Sequence, residues 1–399
     1  MRYPSMLLLS SCLLAAATMP VAADPIVNCE VRSLAAAVEH AQGTNPVIAF
    51  TGVCGPLVIR KDGVTLQGVG EAVIDGGGED AVTIAGASRV TLTDVDIRNG
   101  LNGIVAVNGA HLSLSEVAVH NSVASGISIQ TGSSATLVNV TISANGLHGL
   151  DVKTGSAVTV VGTSTAPATL IATGNRVFGI NVAGSFFTLS DATVTASNNA
   201  LGIQISTGGN AFINDSRSVI NATNNGSTGL TVVSGAQLVS FGGTINASGN
   251  RVAGVTVNSK AGLDMDAATM LNSVGNGDGL RIQQDSVVTV FNTPMNTGQM
   301  GFSTINTSDN TGSGVRVLTG STLTLVNQAR VISKQNALGF VADNGAGVVL
   351  VNSEITGNTT TDVTLTFGTR FDSGSLQFAT YKCDSTVLVR GTSGIICPH

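Results

Sequence analysis

The chain has 399 residues, a net charge of −6, 43% hydrophobic residues, 11% charged residues, 49 glycines and no tryptophan. No charge run or basic patch occurs, which excludes a nucleic-acid binder and a strongly electrostatic grip on polyanions. The aliphatic content, mostly Val, Ile, Leu and Ala, excludes a disordered chain and can fill a long, narrow core.

The N-terminus, "MRYPSMLLLSSCLLAAATMPVAADP", places Arg2 before an apolar run and small residues at Val21–Ala23. It reads as a signal peptide, residues 1–23, cut between Ala23 and Asp24. Lipid attachment at Cys12, within "LSSC", is the competing reading, and a membrane anchor is disfavoured because the apolar run is short for a span. Losing Arg2 leaves 17 of the 18 basic residues against 24 acidic ones, a mature charge of −7. No later apolar run is long enough to span a bilayer, so the expected location is outside the cytoplasm: periplasmic, cell-surface or secreted.

Residues 24–56 are expected to form an N-terminal cap. In "SLAAAVEHAQG" (33–43), Leu34, Ala37, Val38 and Ala41 fall on one helical face, with Ser33 as N-cap and Gly43 as stop. Four cysteines survive cleavage. Three pairings are possible, and the two local ones, Cys29–Cys54 and Cys383–Cys397, are expected as staples at opposite ends.

Residues 57–366 carry a repeat. A Gly followed by an apolar residue recurs at Gly103, Gly126, Gly149, Gly179, Gly202, Gly229, Gly254, Gly279, Gly314 and Gly339, at intervals of 23 to 35 residues. Two further series of short alternating segments follow each Gly, bounded by Gly, Asn, Ser or Asp. These are strand signals separated by turns. Three short strands per unit with no helix between them exclude a βαβ sheet and a helical solenoid. The expectation is an all-β parallel β-helix of roughly twelve coils, three strands per coil, with rungs about 4.8 Å apart and a length on the order of 55–60 Å. Residues 367–399 depart from the repeat and are expected to cap the far end. Asn99, Asn121, Asn145, Asn175, Asn198, Asn225, Asn250 and Asn310 stand just before the repeat Gly. They are expected to tolerate a left-handed turn and to hydrogen-bond along the stack as a ladder, while the Gly, Gly149 for example, permits the bend.

Alternation sorts the outward slots into columns. The first slot after the inward residue reads Val105, Ser128, Asp151, Asn181, Gln204, Thr231, Thr256, Arg281, Arg316 and Val341. Two charged islands stand out from this neutral face. One is His148, Asp151 and Lys153. The other is Asp278, Arg281 and Arg316, with Asp343 further along and an insertion near Asn292–Gly301 beside it. Stacked Arg281 and Arg316 need Asp278 or a bound anion to offset their repulsion. These five residues, Asp278, Arg281, Arg316, His148 and Asp151, are the candidates for chemistry. No three carboxylates gather on one coil, so no metal site and no cofactor are expected.

The opening "LVIRKDGVTLQGVGEAVIDGGG" with "VTIAGASRVTLTDVDIRNG", and the repeat from about Leu57 to Thr366, resemble the right-handed parallel β-helix proteins of the pectate-lyase-like superfamily. The resemblance implies an N-terminal helix over the first coil and a scaffold that hosts lyases, hydrolases, epimerases and adhesins. It implies several acidic residues for calcium and a basic residue to take the proton in a lyase, or an Asn-Thr-Asp element, paired Asp residues, a Gly-His-Gly and an Arg-Ile-Lys in a hydrolase. This chain offers only "NGDG" at 276, "RIQ" at 281 and "LHG" at 147. The expected function is therefore non-catalytic: a monomer binding a polysaccharide or cell-surface glycan along its long face. The alternative is a polysaccharide lyase or glycoside hydrolase. A third reading, binding to ice or another crystal surface, rests on threonine pairs at Thr91/Thr93, Thr193/Thr195 and Thr322/Thr324. It ranks last because these pairs are scattered.

Overall fold

The computed structural model describes residues 26–292 and 302–398. The expected signal peptide, with Cys12, and nearly all of the expected insertion lie outside those residues.

The described chain is one parallel β-solenoid. A fourteen-stranded front sheet runs its length, and a twenty-five-stranded rear sheet forms the other walls. Every pairing is between successive coils and parallel; Leu150–Lys153, for example, lies between Ile127–Ile129 and Phe178–Ala183. Fourteen front strands correct the expected twelve coils and extend the rod to on the order of 62 Å at strand spacing. The additional coils escaped notice because the terminal ones lack the repeat Gly: Ala81 and Asp362 fill its place. The C-terminal stretch continues the stack, since Arg370–Ser373 pairs with both Gly347–Leu350 and Leu388–Gly391.

Alternation inside the front strands produces the core. Leu150, Ile180, Ile203, Leu230, Val255 and Leu280 follow one another in register, all buried. Each inward aliphatic side chain packs on its counterpart one rung away, so the core is a continuous column rather than a globule. At the N-terminal end, helix α1 (Leu34–His40) begins at Ser33, whose hydroxyl accepts the Ala36 N–H at 3.2 Å. It buries Leu34 and Val38 against the first coil and covers an edge that would otherwise template further pairing. The chain is stapled by Cys29–Cys54 and Cys383–Cys397, with Cα separations of 5.0 and 5.4 Å.

The turn before each front strand contains two distinct positions. The first takes a left-handed backbone: Asn99, Asn121, Ala144, Gly174, Asn198, Asn224 and Gly249 all have φ between 54° and 68°. The residue after it points its side chain inward and forms the ladder. Asn145, Asn175, Asn199, Asn225, Asn250, Asn276, Asn310, Asn336 and Asn358 each donate their amide to the side-chain oxygen of the next, at 2.9–3.3 Å. The last rung ends on Asp362, whose carboxylate also accepts the Ala379 and Thr380 N–H groups. Burial alone would raise the Asp362 pKa, but its donors outweigh it and hold the carboxyl below its ordinary range.

This corrects the expected ladder. Asn99, Asn121 and Asn198 occupy the left-handed position and are not rungs, whereas Asn145, Asn175, Asn225, Asn250 and Asn310 are. The repeat Gly has a different role as well. Gly149 has no positive φ; a Cβ there would stand 2.8 Å from Asn175 Nδ2, and at Gly179 one would stand 2.6 Å from Asn199 Nδ2. The Gly makes room for the neighbouring coil's ladder amide.

The two positions predict different costs. Asn225→Ala leaves the buried amides of Asn199 and Asn250 and the Ala196 carbonyl short of partners, and should cost about 2–4 kcal/mol. Asn198→Ala keeps every rung and should cost only about 1 kcal/mol of left-handed strain. Urea unfolding of both variants checks this; equal losses would contradict the assignment.

Candidate functional site

The front sheet's outer side carries three columns of residues: two alternate residues of each strand, and the residue preceding the repeat Gly, which is buried at Ser125, Thr228, Ala253, Asp278 and Ser313. The middle column runs without interruption from Val58 and Thr83 through Val105, Ser128, Asp151, Asn181, Gln204, Thr231 and Thr256 to Arg281 and Arg316. Its residues were expected to be exposed. Val105, Ser128 and Asp151 are instead only 6%, 3% and 4% exposed. They keep the outward register but form the floor of the face, shaded by the columns on either side.

The structure brings His148, Asp151 and Lys153 together. Lys153 Nζ stands 2.7 Å from Asp151 Oδ2, and Asn181 Nδ2, one coil later, donates to Asp151 Oδ1 at 2.9 Å. The Asn181 oxygen in turn accepts from Gln204 at 3.4 Å. A carboxylate so buried requires these partners, because desolvation without them is costly. His148 stacks on Phe178 with ring centroids 5.1 Å apart. Its Nδ1 is buried with no hydrogen-bond partner among the described residues. Burial is the main cause that pulls its pKa below the ordinary histidine value; Asp151 opposes this and Lys153 adds to it. The imidazole is therefore neutral at pH 7.

The second island also closes on itself. Arg281 Nε and Arg316 Nη1 stand 3.3 and 3.4 Å from Asp278 Oδ2, and Asp278 Oδ1 accepts the Ser313 N–H at 2.8 Å. Asp278 is 9% exposed and partly offsets the repulsion between the stacked arginines; the Nε atoms of Arg281 and Arg316 are buried with no hydrogen-bond partner among the described residues. Asp343 does not join them; it accepts from the Thr366 hydroxyl at 3.0 Å. Among the described residues, no three His, Cys, Asp or Glu side chains are grouped to hold a metal ion.

Sequence reasoning left out Phe178, Asn181 and Gln204 as partners. Phe178 occupies the slot that His148 fills one coil earlier, so an aromatic residue there was the available signal. The threonine pairs are scattered, as expected. Thr91, however, belongs to an unbroken rear-sheet column of hydroxyls over six coils: Thr65, Thr91, Ser113, Thr136, Thr159 and Thr188. The rear sheet also carries an outer amide ladder, in which Asn246 donates to Asn221 and Asn272 to Asn246.

His148 makes folding pH-dependent. Its folded pKa lies below the unfolded value of about 6.5, so the unfolded chain binds the proton first. The contribution is complete above about pH 6.5 and is lost as pH falls toward the lowered folded value. His148→Gln should flatten the fall in urea midpoint below pH 6.5; an unchanged slope would refute the assignment.

Residues 26–217 match the family model described as right handed beta helix region. No curated protein sequence matches the chain. Among solved structures, an alginate lyase from Paenibacillus sp. str. FPU-7 is similar at 13% identity over 68% of this chain and 95% of that one, with a TM-score of 0.41. The A-module of the Azotobacter vinelandii mannuronan C-5 epimerase AlgE4 is similar at 15% identity over 92% of this chain and 93% of that one, with a TM-score of 0.38. With its fourteen parallel coils and this match over residues 26–217, the chain has the fold of a right-handed parallel β-helix.

Proposed function

We propose that this protein is an exported β-helix that holds an extended polysaccharide along its front face without cleaving it. The observation that carries the reading is the middle column. Between the islands, Asn181, Gln204, Thr231 and Thr256 present uncharged donors and acceptors on four successive coils. From Asp151 to Arg281 the column spans about 24 Å at strand spacing, room for several sugar rings in a row. Phe178 and His148 add a stacked ring pair at the edge of that track, a platform for the apolar side of a pyranose. The carboxylates of both islands are already engaged, whereas glycoside hydrolysis normally needs two carboxyl groups free to act on either side of the bond. Two disulfides suit an oxidising compartment, and a single chain acting as a monomer is sufficient for this mode of binding.

One feature favours the second reading, a polysaccharide lyase or glycoside hydrolase. His148 is a neutral imidazole with a partnerless nitrogen beside Asp151 and Lys153, the equipment of a general base.

Both readings are tested on one panel of galacturonan, alginate, glycosaminoglycan, xylan and β-glucan. Binding is read on a glycan array, and cleavage as new reducing ends or unsaturated products. The expected outcome is binding without product, weakened several-fold by Gln204→Ala as one hydrogen-bond position is lost. Product release that disappears in His148→Ala would replace the binding reading with the enzymatic one.

A further inference from the structure

We infer that the front face is closed at its N-terminal end and that the cavity there binds the terminal residue of an uncharged glycan chain. This rests on the proposed binding face and assigns its direction and the chemistry of its ligand. The cavity has a volume of about 790 Å³, within the range of small-molecule sites. Val58 and Thr83, which head the middle column, form part of its lining. Ala35, Val38 and Glu39 of helix α1 form another part. A chain lying along the column toward its N-terminal end therefore meets the helix and stops. The helix is tied in place by Lys61, whose ammonium donates to the Ala41 carbonyl at 2.6 Å.

The lining selects the ligand. Glu39, Glu79 and the second oxygen of Asp80 supply carboxylate acceptors, the Asp80 Oδ1 being occupied by the Asn102 backbone and side-chain amides at 3.1 and 2.8 Å, and Arg60 supplies a donor. Pairs of hydroxyls on a sugar ring match this mixture, since each hydroxyl can donate to a carboxylate or accept from a guanidinium. Pro56 and Val58, the latter 45% exposed, offer an apolar surface to the carbon face of the ring. Three carboxylates face two cations, and one of those cations is already committed to the helix terminus. A uronic acid at this position would be repelled. The site therefore takes a neutral sugar, and it takes the end of a chain rather than its middle.

The test uses the mature protein in calorimetric titrations with hexasaccharides of cellulose, xylan, mannan and galacturonan. Each is offered intact, reduced to the alditol at its reducing end, or methylated at its non-reducing end. A neutral hexasaccharide should bind, the galacturonan should not, and modifying one terminus but not the other should weaken binding at least about tenfold, the loss of roughly one good polar contact. Thr83→Trp, which fills the cavity, and Glu39→Gln, an exposed change that preserves shape, should both erase the difference between intact and end-modified ligands. Thr256→Ala, far along the column, should weaken intact and modified ligands equally. Binding that ignores both termini and both cavity variants, yet responds to Thr256→Ala, overturns this inference alone. Equal binding of galacturonan at the same end overturns the charge argument and with it the inference. No binding of any glycan by the unaltered protein overturns the face and the cavity together.

Discussion

A buried amide and a missing side chain hold this molecule in register. From Asn175 onward each ladder Asn uses all of its hydrogen-bonding capacity. Asn225 accepts the backbone and side-chain amides of Asn199 through one oxygen, and donates to the Ala196 carbonyl and to Asn250 through one nitrogen. Full satisfaction is what makes a buried polar column affordable in an aliphatic rod. The amide nitrogen needs the space above the preceding coil's Gly, so Asn and Gly recur together. Slipping one coil by a single residue would bury an unpaired amide against a Cβ and turn every core residue outward.

That clasp explains why the intervals between glycines can vary from 23 to 35 residues while the front strands stay aligned. Length is gained or lost in the stretches beyond the clasp, and each new coil is registered again when it reaches the next Asn. The outward columns therefore remain continuous even where loops differ. Asp151 and Arg281 belong to one column although four coils lie between them. Because the clasp lies on the inner side, it leaves the identities of outward residues unconstrained, and the face can acquire chemistry without cost to the register.

The architecture was legible in the sequence because aliphatic alternation and the Gly step are local signals repeated along one chain. The ladder was only half legible. Asparagine suits the left-handed turn position and also the rung beside it, and at Asn198–Asn199 and Asn224–Asn225 both positions are filled by it. Composition cannot separate two neighbouring slots that prefer the same residue for different reasons; hydrogen-bond partners can. The islands were legible as charges in columns, and the pairing of Arg281 with Arg316 follows from register alone. The burial of Asp151 was not, since it depends on the bulk of flanking columns, nor was its bond to Asn181, thirty residues away. The N-terminal cavity was also invisible, because it forms between helix α1 and the first two coils, and the repeat pattern does not specify how the helix packs beside them.

A parallel stack is directional in a way that an antiparallel sheet is not. Every front strand points the same way, so the edge of the face that receives the turn from the ladder differs along its whole length from the edge that leaves toward the rear sheet. His148, Phe178 and Asp278 all lie on the first of these edges, while Lys153 lies on the second. The two ends differ as well, because helix α1 walls one of them. A ligand on this face consequently meets a surface with no symmetry axis, and reversing the ligand exchanges every contact. A linear polysaccharide, with a reducing and a non-reducing end, therefore makes different contacts with such a surface in its two orientations. That follows from the fold itself, before any single side chain on the face is considered.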